Sequence, residues 1–558
     1  MVRATFSGFN TALSALQANQ KRLDITGQNL SNMNTAGYTR QQLEASSLNY
    51  TNPVSHYSNG NETAVGFGVS MNRVSQIRDP YLDIQYRSQS ADCSYTNRLQ
   101  TALNSLSKVL DETTISGIRQ AFDDIQSTLT SMQDPAKVSD PIYESELRTK
   151  MQSVCNLFNQ ASRQITQAEQ NEFQRLTGEG SSEQGDVQKI NDILRQIGDL
   201  NVQIKRNQVA GHPSLELQDE RNLLLDELSG YIPVETRYYK DDAHSGNNAY
   251  DYDANGAVIG KKDWPDDLEV SMNYIDAQGK SQKLILVNGS DIGADGLTKN
   301  YGQLSMLKGD HQTAASVSDP ANISIKFEKA PSYQGNGQAA ADVYAELKGI
   351  HFEGGSLQAS LDMLQKTGTG NVIKGSTAVD DVRGYQYYSE KLDHLALTFA
   401  ESMNNINNGN KNPKDQNLLS NSTDDSTTGI TAGNIGISKG WTSGTIHIST
   451  DGTNRTDTIL DMIAAMKDTK KLNGKTFADY MNNLSTQLAS DSSSNQTALK
   501  TGTTVLNSIQ DSRDSLSGVS LDEEATNMMA YVSAYNAASR LMTALDEVLN
   551  TLISNTGA

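Results

Sequence analysis

Two apolar heptad stripes stand at opposite ends of this 558-residue chain, and they constrain its fold more than any other feature. Near the start, Phe9, Leu16, Leu23 and Leu30 follow one another seven apart, and Phe6 and Leu13 sit three before the first two. That spacing keeps one apolar seam turned toward a partner helix. The run from about Thr5 to Asn32 predicts a helix about 40 Å long. Near the end, Leu521, Met528, Tyr535, Met542 and Leu549 repeat at seven, with Tyr531, Ala538, Leu545 and Leu552 as the second set. Ser520 and then Asp522, Glu523 and Glu524 are a good helix start, because acids favour the positive end of the helix dipole. Gln20 and Gly27 in one stripe, and Glu524 and Ala538 in the other, count as flaws, so the ends are expected to be mobile before assembly. Neither stripe has a partner nearby in sequence. They are read as pairing with each other, or with neighbouring subunits.

Composition narrows the classes. Hydrophobic residues make up 36% and aromatic residues 6%, which predicts lean aliphatic cores. A formal charge of −20 repels phosphate backbones, so no nucleic-acid partner is expected. No apolar run approaches the ~18 residues of a membrane span, and no membrane insertion is expected. The first residues carry Arg3 without an apolar core, unlike a secretory signal peptide, so the chain either stays inside or leaves without a cleaved signal. Cys93 and Cys155 are expected to be free, mostly buried thiols.

The fold class expected is mainly α with β inserts. Pro80 to about Gly230 reads as helices, with Leu99, Leu103, Leu106 and Leu110 at helical spacing and Pro135 and Pro141 punctuating a connection. After Tyr231 the period changes: "LEVSMNYIDAQGKSQKLILV" is two β-rich runs around Gly279. Helices return at "GGSLQASLDML", and Asn407 to Asn454 reads as a small second insert or a long loop. The domains expected are a terminal helical domain (1–50 and 515–558), a helical rod (51–235, 350–407 and 455–514), a β-rich insert (236–349) and the 408–454 segment. Because the helical pattern resumes cleanly on either side, the inserts are expected to protrude and to be dispensable.

Three segments carry a family resemblance. "NMNTAGYTR" resembles the Asn-x-x-Thr-x-Gly-Tyr turn of bacterial flagellar rod, hook and hook-associated proteins, through Asn32, Thr35, Gly37 and Tyr38, with Arg40 behind them. "SGVSLDEEATNMMAYVSAYNAASRLMTALDEVLNTLI" resembles their C-terminal helix, and "SLELQDERNLLLDELSGYIPVE" is similar to a segment of the hook-associated protein 1 family. The combination of hook-type ends with a helical second domain distinguishes this pattern from hook and distal-rod proteins, and from flagellins. The resemblance implies a helix lining an axial core, and a turn that sends the chain outward. It also implies an adaptor between hook and filament, located outside the cell on the flagellum and exported by the flagellar type III pathway. The partners implied are a ring of like subunits, hook protein, a second hook–filament junction protein and an export chaperone at the C-terminal helix. Subunit packing is assigned to Phe9, Leu13, Leu16, Leu23, Leu30, Met528, Tyr535, Met542, Leu545, Leu549 and Leu552.

Chemistry is sparse. "DYDANGAVIGKK" begins like a calcium loop but ends in Lys262 where a bidentate Glu belongs, so it reads as a hairpin tip. Asn454-Arg455-Thr456 is a sequon of the kind an Asn-rich chain produces by chance, and Gly66-Phe67-Gly68 lacks a phosphate-binding context. No catalytic, cofactor or metal residue is assigned, and no enzyme is expected. The alternative reading is a secreted helical effector or adhesin whose β insert binds a host ligand.

Overall fold

A computed structural model describes residues 6–48, 68–110, 112–138, 140–240, 250–252, 258–261, 266–275, 280–289, 299–309, 313–328, 345–346, 351–368, 382–409, 416–450 and 455–556. The first helix, α1 (Phe6–Asn32), lies beside the last, α13 (Leu521–Thr556). They run antiparallel. A Cβ on Gly8 would stand 3.4 Å from the methyls of Leu545. Further along, the Arg22 guanidinium sits 5.6 Å over the Tyr531 ring. The same number of residues separates Gly8 from Arg22 and Tyr531 from Leu545, so one register holds along the pair. The two stripes therefore meet within one chain, as one of the two expectations had it.

Between α1 and the helical body lies a two-stranded antiparallel hairpin, β1 (Gln41–Ser47) and β2 (Val69–Gln76), with a bulge at Glu44/Ala45. It is pinned to α1 at both ends. The Val69 N–H donates to Ser14 Oγ at 3.2 Å, and Asn29 exchanges two 3.0 Å bonds with the Gln41 backbone. Gly68 (φ +113) approaches so closely that a Cβ there would fall 2.2 Å from Ser14 Oγ. Strand β2, inside the 51–235 segment, belongs to this hairpin on α1. "QQLEASS" and "VSMNRVSQ" alternate only briefly, through Leu43 and Ala45 in one and Val69 and Met71 in the other, too short a run to mark a strand.

The body is built on α2 (Pro80–Val109), α3 (Glu112–Ser131), the short α4 (Pro135–Val138), α5 (Pro141–Thr177), α6 (Asp186–Val209), α7 (Leu215–Tyr231), α8 (Ser356–Gln365), α9 (Tyr385–Asn408), α11 (Asp457–Met466) and α12 (Phe477–Ser517). Local signals set the ends. Asp79 and Asp140 cap α2 and α5 just ahead of Pro80 and Pro141, and Gly178 closes α5 at φ +77. The core is aliphatic around an aromatic knot, in which Phe122 stands 5.2 Å from Phe399 and 5.5 Å from Phe477. Cys93 and Cys155 are free and buried, and burial pushes the Cys155 thiol up to about 12. A buried ion pair, Arg98 to Glu172 at 2.8 Å, ties α2 to α5.

The described strands of the β insert are rooted on this body. Strand β6 (Asp266–Ile275) pairs with β3 (Glu235–Lys240), β7 (Ser281–Asn288) and β11 (His351–Phe352), while β9 (Ile323–Glu328) pairs with β8 (Gln303–Lys308) and β10 (Ala345–Glu346). Leu268, Val270, Leu286, Leu304 and Phe327 share one core with Ile190, Leu194 and Ile197 of α6. Asn201 donates to the carbonyls of Leu268 and Gly289 at 3.1 and 3.0 Å. The apolar stripe of α6 is wide enough to be covered on two sides, by the body and by the base of the insert. The calcium-like segment folds as a small hairpin, β4 (Tyr250–Tyr252) with β5 (Val258–Lys261); its tip, 253–257, and Asn454 of the sequon lie outside the described residues. The second insert is a packed lobe of β12 (Leu419–Asn421), β13 (Ile435–Ile437) and α10 (Lys439–Ser443). Trp441 anchors it, donating to Glu144 at 2.8 Å while its carbonyl accepts from Arg148 at 2.7 Å. Among the described residues, no helix is long and apolar enough to cross a membrane.

Candidate functional site

The family turn is the joint between the terminal pair and the body. Helix α1 ends as Asn32 accepts from the Thr35 N–H at 2.9 Å and Thr35 accepts from the Tyr38 N–H at 3.2 Å. Gly37 sits at φ +77, the left-handed conformation that a glycine adopts freely. The Tyr38 hydroxyl donates to Asn29 Oδ1 at 2.8 Å, the atom that also receives the Gln41 N–H. Burial first, and then the nearby acids Asp219, Glu216 and Glu524, hold the phenol well above its ordinary pKa.

From Tyr38 the chain docks on α7. Thr39 donates its N–H to Asp219 Oδ2 at 3.0 Å and its hydroxyl to Oδ1 at 2.6 Å. Burial pushes the Asp219 carboxyl up to about 6, against those two bonds and the Arg78 charge. Arg78 also pairs with Asp83, and Arg513 of α12 reaches Asp83 at 3.1 Å and Asp226 at 2.7 Å. Arg87 closes the lattice on Asp226 at 2.8 Å, and the Arg513 guanidinium lies 4.3 Å over the Tyr86 ring. So α2, α7 and α12 meet at one interlocked group of arginines and aspartates.

Arg40 is the last contact. Its N–H donates to the Ser517 carbonyl at 2.9 Å, where α12 ends. Its side chain reaches Glu523 Oε2 at 2.7 Å and Glu524 Oε1 at 2.8 Å, where α13 begins. A cleft of about 790 Å³ opens beside it, lined among others by Met33, Gly37, Leu223, Arg513 and Glu523. Residues Asn32, Thr35, Gly37, Tyr38 and Arg40 are all brought together here. Asn29, Asp219, Glu523 and Glu524 complete the joint and were not assigned to it from sequence. Asp219 lies in the quoted family segment, and that was the available signal.

The packing residues divide between the seam and the outside. Met528, Met542, Leu545 and Leu549 are half-buried on α13; Phe9, Leu16, Leu23 and Leu30 are half-buried on α1. Leu13 (46% exposed), Tyr535 (37%) and Leu552 (51%) face out. The deepest positions are others: Ala12, Ala18, Thr26 and Asn29 on α1, Glu524 and Ala538 on α13. The two flaws of the C-terminal stripe are thus its best-buried residues, because a small side chain lets helices approach and a carboxylate finds Arg40. Among the described residues, no group of three or more metal-ligating side chains converges.

Sequence comparison agrees with this layout. A family model described as the flagellar hook-associated protein FlgK helical domain matches residues 103–416. One for the flagella basal body rod protein matches 9–39, and one for the flagellar basal body rod FlgEFG protein C-terminal matches 512–555. Flagellar hook-associated protein 1 of Bacillus subtilis is 29% identical over 570 residues, covering 99% of each chain. The protein of that name from Salmonella typhimurium is 29% identical over 230 residues, which is 40% of this chain and 38% of that one. The solved flagellar hook junction protein FlgK from Burkholderia pseudomallei superposes with a TM-score of 0.36 at 18% identity, covering 61% of this chain and 45% of that one. With the helical-domain match spanning more than half of its length, and the full-length relative agreeing from end to end, the chain belongs to the flagellar hook-associated protein FlgK family.

Proposed function

We propose that this chain joins hook to filament, and that it assembles through the α1–α13 arm. It is a structural component of the flagellar hook–filament junction and not an enzyme. The arm is the observation that carries the proposal. Two helices from the ends of one chain pair in one register, yet Leu541, Val548, Leu552 and Ile553 remain exposed along it. An apolar row of that length wants a cover, and the arm of a like subunit supplies one. Head-to-tail contact between copies closes as a ring or continues as a helix, which suits an axial position.

On this proposal, residues 1–50 and 515–558 form the assembly domain, extended by the β2 strand. The body and its inserts form the outer part. Hook protein lies on one side and a second junction protein on the other. The half-covered face of α13 is the surface an export chaperone would shield before assembly. The effector or adhesin alternative is disfavoured by the family match, and three strands of the insert, β6, β7 and β8, pack on α6. Deleting the gene and viewing cells by electron microscopy tests the proposal. Hooks without filaments, with flagellin in the medium, are expected; normal filaments would refute it.

A further inference from the structure

We propose that the Arg40–Glu524 pair is a register lock. It selects one placement of α13 against the turn and the end of α12, and so sets how the arm leaves the body. It does this without being a main source of stability. The part of the test that involves filaments rests on the proposed junction role.

Glu524 occupies a core position of the C-terminal stripe, four before Met528 and seven before Tyr531. Its side chain is only 3% exposed, and Oε1 lies 2.8 Å from Arg40 Nε. Stripping water from a carboxylate and a guanidinium costs about as much as their attraction returns, so apolar replacements of such pairs are often neutral or stabilising. Leucine at this position would extend the stripe. It would also remove the one charged seat of the α13 stripe, and with it the penalty on a shifted placement of that helix. A single polar residue in such a seat excludes the alternatives. If α13 slipped by one turn, Glu524 would move about 5.4 Å from Arg40 and be buried without a partner.

The position of Arg40 gives the lock its reach. It follows directly on the turn, takes the last carbonyl of α12 with its N–H, and spans Glu523 and Glu524 with its guanidinium. One residue thus joins the outgoing strand of the chain to its return. The adjacent Thr39 is fixed to Asp219 of α7, so the lock is referenced to the body and not only to the arm.

The test uses full-length protein carrying Cys93→Ser and Cys155→Ala, with one cysteine at Gly8 and a second at Leu545 or, in a parallel set, at Leu549. A short thiol cross-linker reads the native register through the first pair and a one-turn slip through the second. Arg40→Met alone should lower the Tm, since Glu524 stays buried without its partner. Arg40→Met with Glu524→Leu should recover the Tm to the starting value or above. In that double variant, native cross-linking should fall at least twofold while the slipped pair rises, and hooks should fail to retain filaments. Arg40→Lys should restore the native cross-link. Native cross-linking at full yield in the stable double variant would overturn the lock. A double variant that stays as unstable as Arg40→Met would also overturn it, by making the pair a plain stabiliser. A slipped register with filaments retained would support the lock and count against the arm's part in the junction.

Discussion

Asp219 receives both the backbone N–H and the hydroxyl of Thr39, at 3.0 and 2.6 Å, across 180 residues of sequence. Both carboxylate oxygens are spent on one residue, so the turn is clamped to α7 in position and in orientation. This contact joins the two most distinctive segments of the chain, the Gly-Tyr turn and the "LQDERN" helix.

The clamp has a pH signature. Burial raises the Asp219 carboxyl to about 6, above the ordinary aspartate value of about 3.9. The folded protein then holds this proton more tightly than the unfolded chain. The stability that gives is complete below the ordinary value and is lost as pH rises through about 6. Asp219→Asn removes the dependence while keeping an acceptor for the Thr39 N–H. Between pH 4 and pH 7, wild type should lose up to about 3 kcal/mol relative to the variant. Calorimetric melts of both proteins at unit pH steps measure it; a constant gap would mean an ordinary carboxylate.

Gly37→Ala tests the turn. There is room for the methyl, 3.5 Å from Leu223 Cβ, but the backbone stands at φ +77. The strain should cost about 1–2 kcal/mol, and Gly37→Asn should cost less. Hydrogen exchange should quicken in α1 and β1 and stay unchanged in α3, α5 and α9. Unchanged exchange throughout would mean the turn adopts another conformation without penalty.

The helices of the arm were legible in sequence because a seven-residue period is local. Their true seam was not. Ala538 and Glu524 looked like flaws, since nothing near them in sequence announces Gly8-like close packing on one side or Arg40 on the other. The hairpin 41–76 escaped for a different reason: a sheet of two strands on a helix needs few apolar residues, and Gln, Ser and Asn fill most of its positions. The turn was legible as a motif, yet its anchor Asp219 lies 180 residues away, where no local pattern marks it as a partner of Thr39. The β insert was recognised as β, while its docking on α6 depends on Asn201 and Asn300, whose partners are backbone carbonyls that no sequence pattern marks.

Asn201→Ala tests that docking. Its side chain serves the Leu268 and Gly289 carbonyls and accepts from Arg221 at 2.8 Å. Truncation removes three bonds at buried groups, while the Leu268 carbonyl keeps the Gly289 N–H and the Gly289 carbonyl keeps Asn300; it should cost about 1–3 kcal/mol. Exchange should rise selectively over 266–289. If only α6 and α7 respond, the insert is held by its apolar contacts alone.

The most direct test of the central claim, that the paired termini build the junction, is Leu545→Asp in cells, with Glu547→Ala as the exposed control. Leu545 is half-buried with its methyls against Gly8, so the loss of apolar burial is about 1–2 kcal/mol, and the new carboxylate faces an apolar seam. Secreted protein and attached filaments are counted in the same cultures, so that failed export is not mistaken for failed assembly. The predicted result is variant protein that is made and secreted, with a body that melts like wild type, and hooks that carry no filament. Full motility with Leu545→Asp protein incorporated at wild-type levels would contradict it.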